Sequence, residues 1–129
     1  MRAVLTALAV VGFATSALAD IHPMYHERNQ AAAASVAVVD VTSITPALRP
    51  DHMGECTIAA RVTAVERGDH LAVGQRLALT VDCFTEEAML PSSGMQWQEV
   101  ARLEASSTGR VWLNADGSML SPRYYQILD

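Results

Sequence analysis

A chain of 129 residues has room for one domain with its own core and too little for two of ordinary size. Its formal charge of −5, with nine basic residues that are all arginine, argues against a nucleic-acid partner, because phosphate tracking needs a clustered basic face. Half of the residues are hydrophobic, yet no apolar run beyond the first segment approaches the length of a membrane span.

Residues 1–19 read as a cleavable signal peptide. Arg2 supplies a positive start, Ala3–Phe13 is apolar, and Ala17-Leu18-Ala19 has the small-x-small pattern of a cleavage site, leaving Asp20 as the new N-terminus. A transmembrane helix fits less well: the segment is short, is interrupted by Thr6, Gly12, Thr15 and Ser16, and runs into acidic Asp20. No cysteine stands at the cleavage point, so a lipoprotein anchor is not expected. The expected product is periplasmic or secreted, about 110 residues long, with no membrane span after cleavage.

Residues 20–34 form an N-terminal arm or short helix: His22 precedes Pro23 at a first helical position, and Glu27 and four alanines follow. This segment also carries the sharpest chemical motif. A free amine on Asp20, the amides that follow it, including that of Ile21, and the imidazole of His22 complete a four-nitrogen square plane suited to Cu(II) or Ni(II). That arrangement resembles the amino-terminal copper-and-nickel motif, which requires a non-proline second residue. Met24 and His26 are further candidate ligands, Met24 for reduced copper, and His26 shares a helical face with His22 at i, i+4. The plainer alternative is a solvated, mobile arm, and the site vanishes if cleavage shifts by one residue.

Residues 35–129 read as a β domain. Ser35–Ile44 is rich in β-branched residues and predicts a strand. Val36 and Val38 share one parity while Val39 and Val41 share the other, which calls for a bulge or burial on both faces. Thr45–Gly54, with two prolines, predicts a loop. Cys56, Ile58, Ala60, Val62 and Ala64 then alternate with polar residues, as do Leu77, Leu79, Val81 and Cys83, the pattern of two half-buried strands. Folding them about a turn near residue 70 sets Cys56 opposite Cys83 or its immediate neighbour, both sulfurs inward. A disulfide between them suits an oxidising compartment; buried free thiols and a redox pair are the alternatives, the latter lacking C-x-x-C spacing.

Glu86–Gln98 predicts a long connection. Trp97–Ala105 is ambiguous: Ala101, Leu103 and Ala105 alternate as in a strand, whereas Trp97, Val100, Ala101 and Glu104 lie at helical spacing. The strand reading is preferred because a Ser-Ser-Thr-Gly turn leads directly into Arg110–Asn114. There Val111 and Leu113 oppose Trp112, which places Trp112 outside the main core. Arg123–Leu128 predicts the last strand.

The expected fold is therefore all-β and mainly antiparallel: a small five- to six-stranded barrel or compact sandwich preceded by a short helix or arm. The stretch CTIAARVTAVERG, a short loop and GQRLALTVDC resembles the paired second and third strands of OB-fold-like modules, including the netrin-like group. That resemblance covers about half of the expected mature chain and implies an OB-like barrel. OB-type folds host oligonucleotide binders, sugar binders and inhibitors, so it does not assign a function. The stacking aromatics of a nucleic-acid surface are scarce, Trp112, Tyr124 and Tyr125 being the nearby candidates.

Catalytic signatures are missing from the sequence: there is no G-x-S-x-G elbow, no H-E-x-x-H and no phosphate-cradling glycine loop. The pairs Asp51–His52 and Asp69–His70 fall in predicted loops, where such neighbours are mostly solvated. Trp97, Trp112, Tyr124 and Tyr125 are candidates for a partner surface, against ordinary core or rim packing. The expectation is an exported, non-catalytic binding or interaction module for a small ligand or an envelope protein. The alternative is a Cu(II)/Ni(II)-binding protein using its mature N-terminus.

Overall fold

The computed structural model describes residues 23–90, 96–120 and 123–129. Helix α1 (Pro23–Ala31) is followed by three strands, β1 (Ser35–Leu48), β2 (Met53–Arg67) and β3 (Arg76–Phe84). A three-residue strand β4 (Trp97–Glu99) runs straight into helix α2 (Val100–Ala105), and β5 (Thr108–Leu113) and β6 (Tyr125–Ile127) complete the chain. The strands form one sheet in the order β4-β3-β2-β1-β5-β6. Every pairing is antiparallel except β3 with β4. The sheet curls into a half-barrel, so the expected all-β, barrel-like architecture with a short leading helix is the one found.

The β1–β2 hairpin is longer than the sequence suggests. Instead of a loop over Thr45–Gly54, Thr45 to Leu48 pair with Gly54 to Thr57, and the turn shrinks to residues 49–52. His52 takes a positive φ of 68° there, Arg49 N–H donates to the Met53 carbonyl at 2.8 Å, and the Asp51 carboxylate accepts from Met53 N–H at 3.1 Å. Pro46 is tolerated because of its phase. The Arg49–Met53 hydrogen bond makes alternate pairs hydrogen-bonded, so Pro46 and Cys56 form a pair without mutual bonds and the proline nitrogen faces away from β2.

Shifts of register fall after Val36, Val38 and Val41, and they explain the imperfect alternation of β1. Ala37 and Val39 enter the main core, while Val36 enters a smaller cluster with Ala33, Leu120 and Tyr124, against which Trp112 packs. Both expected explanations, bulging and two-sided burial, therefore operate together. Trp112 lies off the main core because Val111 and Leu113 point into it.

Cys56 and Cys83 are joined, with Cα atoms 5.9 Å apart. They are not directly opposed: Cys56 faces Val81 and Cys83 faces Gly54, so the bridge runs diagonally. The register differs from the expected one because the β2–β3 turn is centred about one residue earlier, fixed by Val62 N–H on the Gln75 carbonyl and Gly74 N–H on that of Val62. A two-residue offset keeps both sulfurs on the inward face, since side-chain direction repeats every second residue.

Segment 97–105 is a correction to the strand reading. Only Trp97–Glu99 is strand; Val100–Ala105 is helical. Val100 and Leu103, three apart on one helical face, are buried in the main core, whereas Ala101 and Ala105 stay exposed. Burying two branched side chains across the open end of the sheet outweighs the weak alternation of small alanines.

Candidate functional site

The hydrogen-bond phase of the β2–β3 ladder decides which outward side chains crowd each other. With Val62 N–H bonded to the Gln75 carbonyl, every second pair from Arg61–Arg76 to Met53–Phe84 lacks mutual bonds and brings its side chains closest. Glu55 and Asp82 form one such pair. Two carboxylates so placed repel unless a cation intervenes. Arg123, from the segment before β6, supplies it: its Nη1 lies 2.7 Å from Glu55 Oε2 and 3.5 Å from Asp82 Oδ1.

Asp82 is the one charged side chain that is buried among the described residues, at 7% exposure. It is covered because Trp97 of β4 pairs alongside it. Burial pushes its carboxyl above the ordinary aspartate range; Arg123 opposes that shift, Glu55 reinforces it and Arg49 opposes it. A cavity of about 460 Å³ opens over this pair, lined by Ala47, Arg49, Met53, Gly54, Glu55, Asp82 and Trp97. The indole Nε1 of Trp97 is buried without a hydrogen-bond partner. Gly54 belongs to the floor of necessity, since a Cβ there would strike the Ala47 carbonyl and the Leu48 Cα of β1.

The concavity gathers a carboxyl of raised proton affinity, the Trp97 side chain and charges of both signs. One guanidinium nitrogen serves both carboxylates, tightly for Glu55 and loosely for Asp82. The Asp82 carboxylate thus keeps capacity for a further donor.

The residues singled out for metal binding fare differently. Asp20, Ile21 and His22 lie outside the described residues. Met24 is exposed on α1, its sulfur 3.5 Å from Arg28 Nη2. His26 turns to the barrel: its Nδ1 lies 2.7 Å from the Tyr124 hydroxyl, and the two rings meet edge-on with centroids 5.4 Å apart. Asn29 Nδ2 donates to the same hydroxyl at 3.1 Å. The other ring nitrogen of His26, Nε2, lies 3.4 Å from Gln96 Nε2. Met24 and His26 are two residues apart on a helix and do not share a face. Among the described residues no group of three or more His, Cys, Asp or Glu is placed to hold a metal ion.

Asp51 serves the β1–β2 turn, and His70 Nε2 sits 3.7 Å from Asp69 in a solvated loop. Of the four aromatics, Tyr125 is in the main core, Tyr124 and Trp112 in the smaller cluster, and Trp97 lines the cavity. Sequence reasoning passed over Glu55, Asp82, Arg49 and Arg123. The only available signal was that Glu55 and Asp82 fall on outward parities of two strands that pair; what covers Asp82 comes from β4 and the segment before β6, far along the chain.

Comparison with known proteins returned no match: no family model fits this chain, and no curated protein or solved structure aligns with it.

Proposed function

We propose that this chain is an exported, non-catalytic binding module that holds a small organic cation in the cavity over Asp82 and Glu55. The observation that carries the reading is a buried carboxylate, loosely partnered at 3.5 Å, in a cavity that Trp97 also lines. An ammonium or guanidinium group entering there meets the Asp82 oxygen that Arg123 leaves under-used and lies against Trp97, where cation–π attraction adds to the charge pairing. Glu55, held at 2.7 Å by Arg123, adds a second carboxylate beside the bound cation.

The export part of the proposal rests on the signal-like segment and on the Cys56–Cys83 disulfide, which is consistent with an oxidising compartment. No helix among the described residues is long and apolar enough to cross a membrane. An OB-like kinship belongs to the same proposal, supported by the curled sheet and its paired β2 and β3.

The test is fluorescence titration with a panel of aliphatic amines and guanidines in a Trp112→Phe background, where Trp97 is the remaining reporter. The expected result is saturable change in Trp97 emission for at least one cation, abolished by Asp82→Asn. Emission that is indifferent to every cation, or a response unchanged in Asp82→Asn, overturns the assignment.

A further inference from the structure

The same ladder that crowds two acids at one end crowds two arginines at the other. Arg61 and Arg76 are directly opposed across β2 and β3, in a pair without mutual backbone bonds, so their side chains leave the sheet at close quarters. Like charges in that position destabilise unless an opposite charge joins them. Among the other described arginines, Arg49, Arg110 and Arg123 meet carboxylates, Arg67 donates to carbonyls at and just beyond the end of α1, Arg28 lies against Met24 and the Tyr25 ring, and Arg102 is exposed on α2. Among the described residues Arg61 meets only the Gly74 carbonyl, at 3.3 Å, and no carboxylate lies within ion-pair distance of either Arg61 or Arg76. Asp40 stands across β1 from Arg61 in register without closing on it.

A cavity of about 330 Å³ opens at this point, walled by both arginines, Thr42, Ala59, Ala60 and Leu77. Two arginines lining a concavity with small and apolar walls match a planar or tetrahedral oxyanion carried on a short carbon skeleton. We propose that Arg61 and Arg76 form an anion-binding site for the carboxylate or phosphate group of a small ligand. The site is separate from the cavity over Asp82 and stands whether or not that cavity takes a cation.

The experiment is a titration of the whole protein, isotopically labelled, with inorganic phosphate and in parallel with acetate, at ionic strength held constant with chloride. The Nε–Hε resonances of the arginines are followed by NMR. Saturable shifts confined to Arg61 and Arg76 are expected, and Arg61→Gln or Arg76→Gln weakens binding about tenfold or more, as expected for loss of a charge-assisted contact. Arg102→Gln, which removes the same charge from an exposed position on α2, leaves binding unchanged. Tighter phosphate than acetate identifies a phosphate-bearing ligand, and the reverse a carboxylate. The proposal fails if the shifts match those produced by chloride alone. It also fails if binding survives Arg61→Gln/Arg76→Gln with circular dichroism unaltered, or falls equally in Arg102→Gln.

Discussion

Asp82 illustrates how one residue can be costly to the fold and, in the proposed function, useful to a ligand. Burial raises its carboxyl pKa, so the folded state holds the proton at pH values where the unfolded chain has released it. By linkage, the fold is favoured most below the ordinary aspartate pKa of about 4 and loses stability as pH rises through the raised value. Asp82→Asn cannot ionise and is expected to flatten that decline in urea unfolding series run between about pH 4 and pH 7; an undiminished slope would assign the proton uptake elsewhere. Tyr125 gives a second test at this scale. Its ring lies across Gly109, where any Cβ would collide with it, and its hydroxyl is buried without a partner. Burial, aided by the charge of Asp129, pushes its phenol up to about 12. Tyr125→Phe should therefore delete a phenol absorbance step near that pH, and should leave stability unchanged or raise it by up to about 1 kcal/mol, because an unmet buried hydroxyl is relieved.

Among elements, the β2–β3 pair and α2 divide the labour of holding the curl. The diagonal disulfide closes 27 residues of chain, worth about 3.5 kcal/mol in the chain-entropy picture. Cys56→Ala/Cys83→Ala is expected to shift the urea midpoint down by an amount of that order, and reduction of the native protein should reproduce it. Leu103 is fully buried beneath α2, so Leu103→Ala should cost about 2–5 kcal/mol in the same assay, whereas Ala101→Ser on the exposed face should cost almost nothing. These elements also show what was legible in the sequence. Period-two alternation marked β2, β3 and β5 and put both cysteines and Val111 on the inward side, because one face of each strand is in the core. The Thr45–Gly54 loop and the 97–105 strand were misread for a common reason. Proline phase depends on which pairs bond across the hairpin, and whether Leu103 is reached by a helix or a strand depends on the space left at the end of the sheet. Neither is a property of the local residues. The cavity over Asp82 was illegible on the same ground, since its walls come from four separate parts of the chain.

For the whole molecule, polar ties join elements that do not pair with each other in the sheet. Gln98 of β4 donates to the Tyr125 carbonyl of β6 at 2.8 Å, Arg123 reaches Glu55 and Asp82, and α1 is pinned through His26 and Asn29 to Tyr124. The curl also leaves one edge open. Beyond Val41, no strand pairs with the side of β1 that faces away from β2 among the described residues, and Thr45 to Leu48 are exposed. An unpaired strand edge is a template for another chain, and the row of donors along this one is interrupted at Pro46, whose nitrogen points outward and carries no hydrogen. The residue that looked like a loop marker thus interrupts the pairing potential of an open edge. Replacing it with a good strand former, as in Pro46→Val, should leave the hairpin intact yet promote concentration-dependent, thioflavin-positive assembly; the fold would survive the change, and the protection of this edge would not.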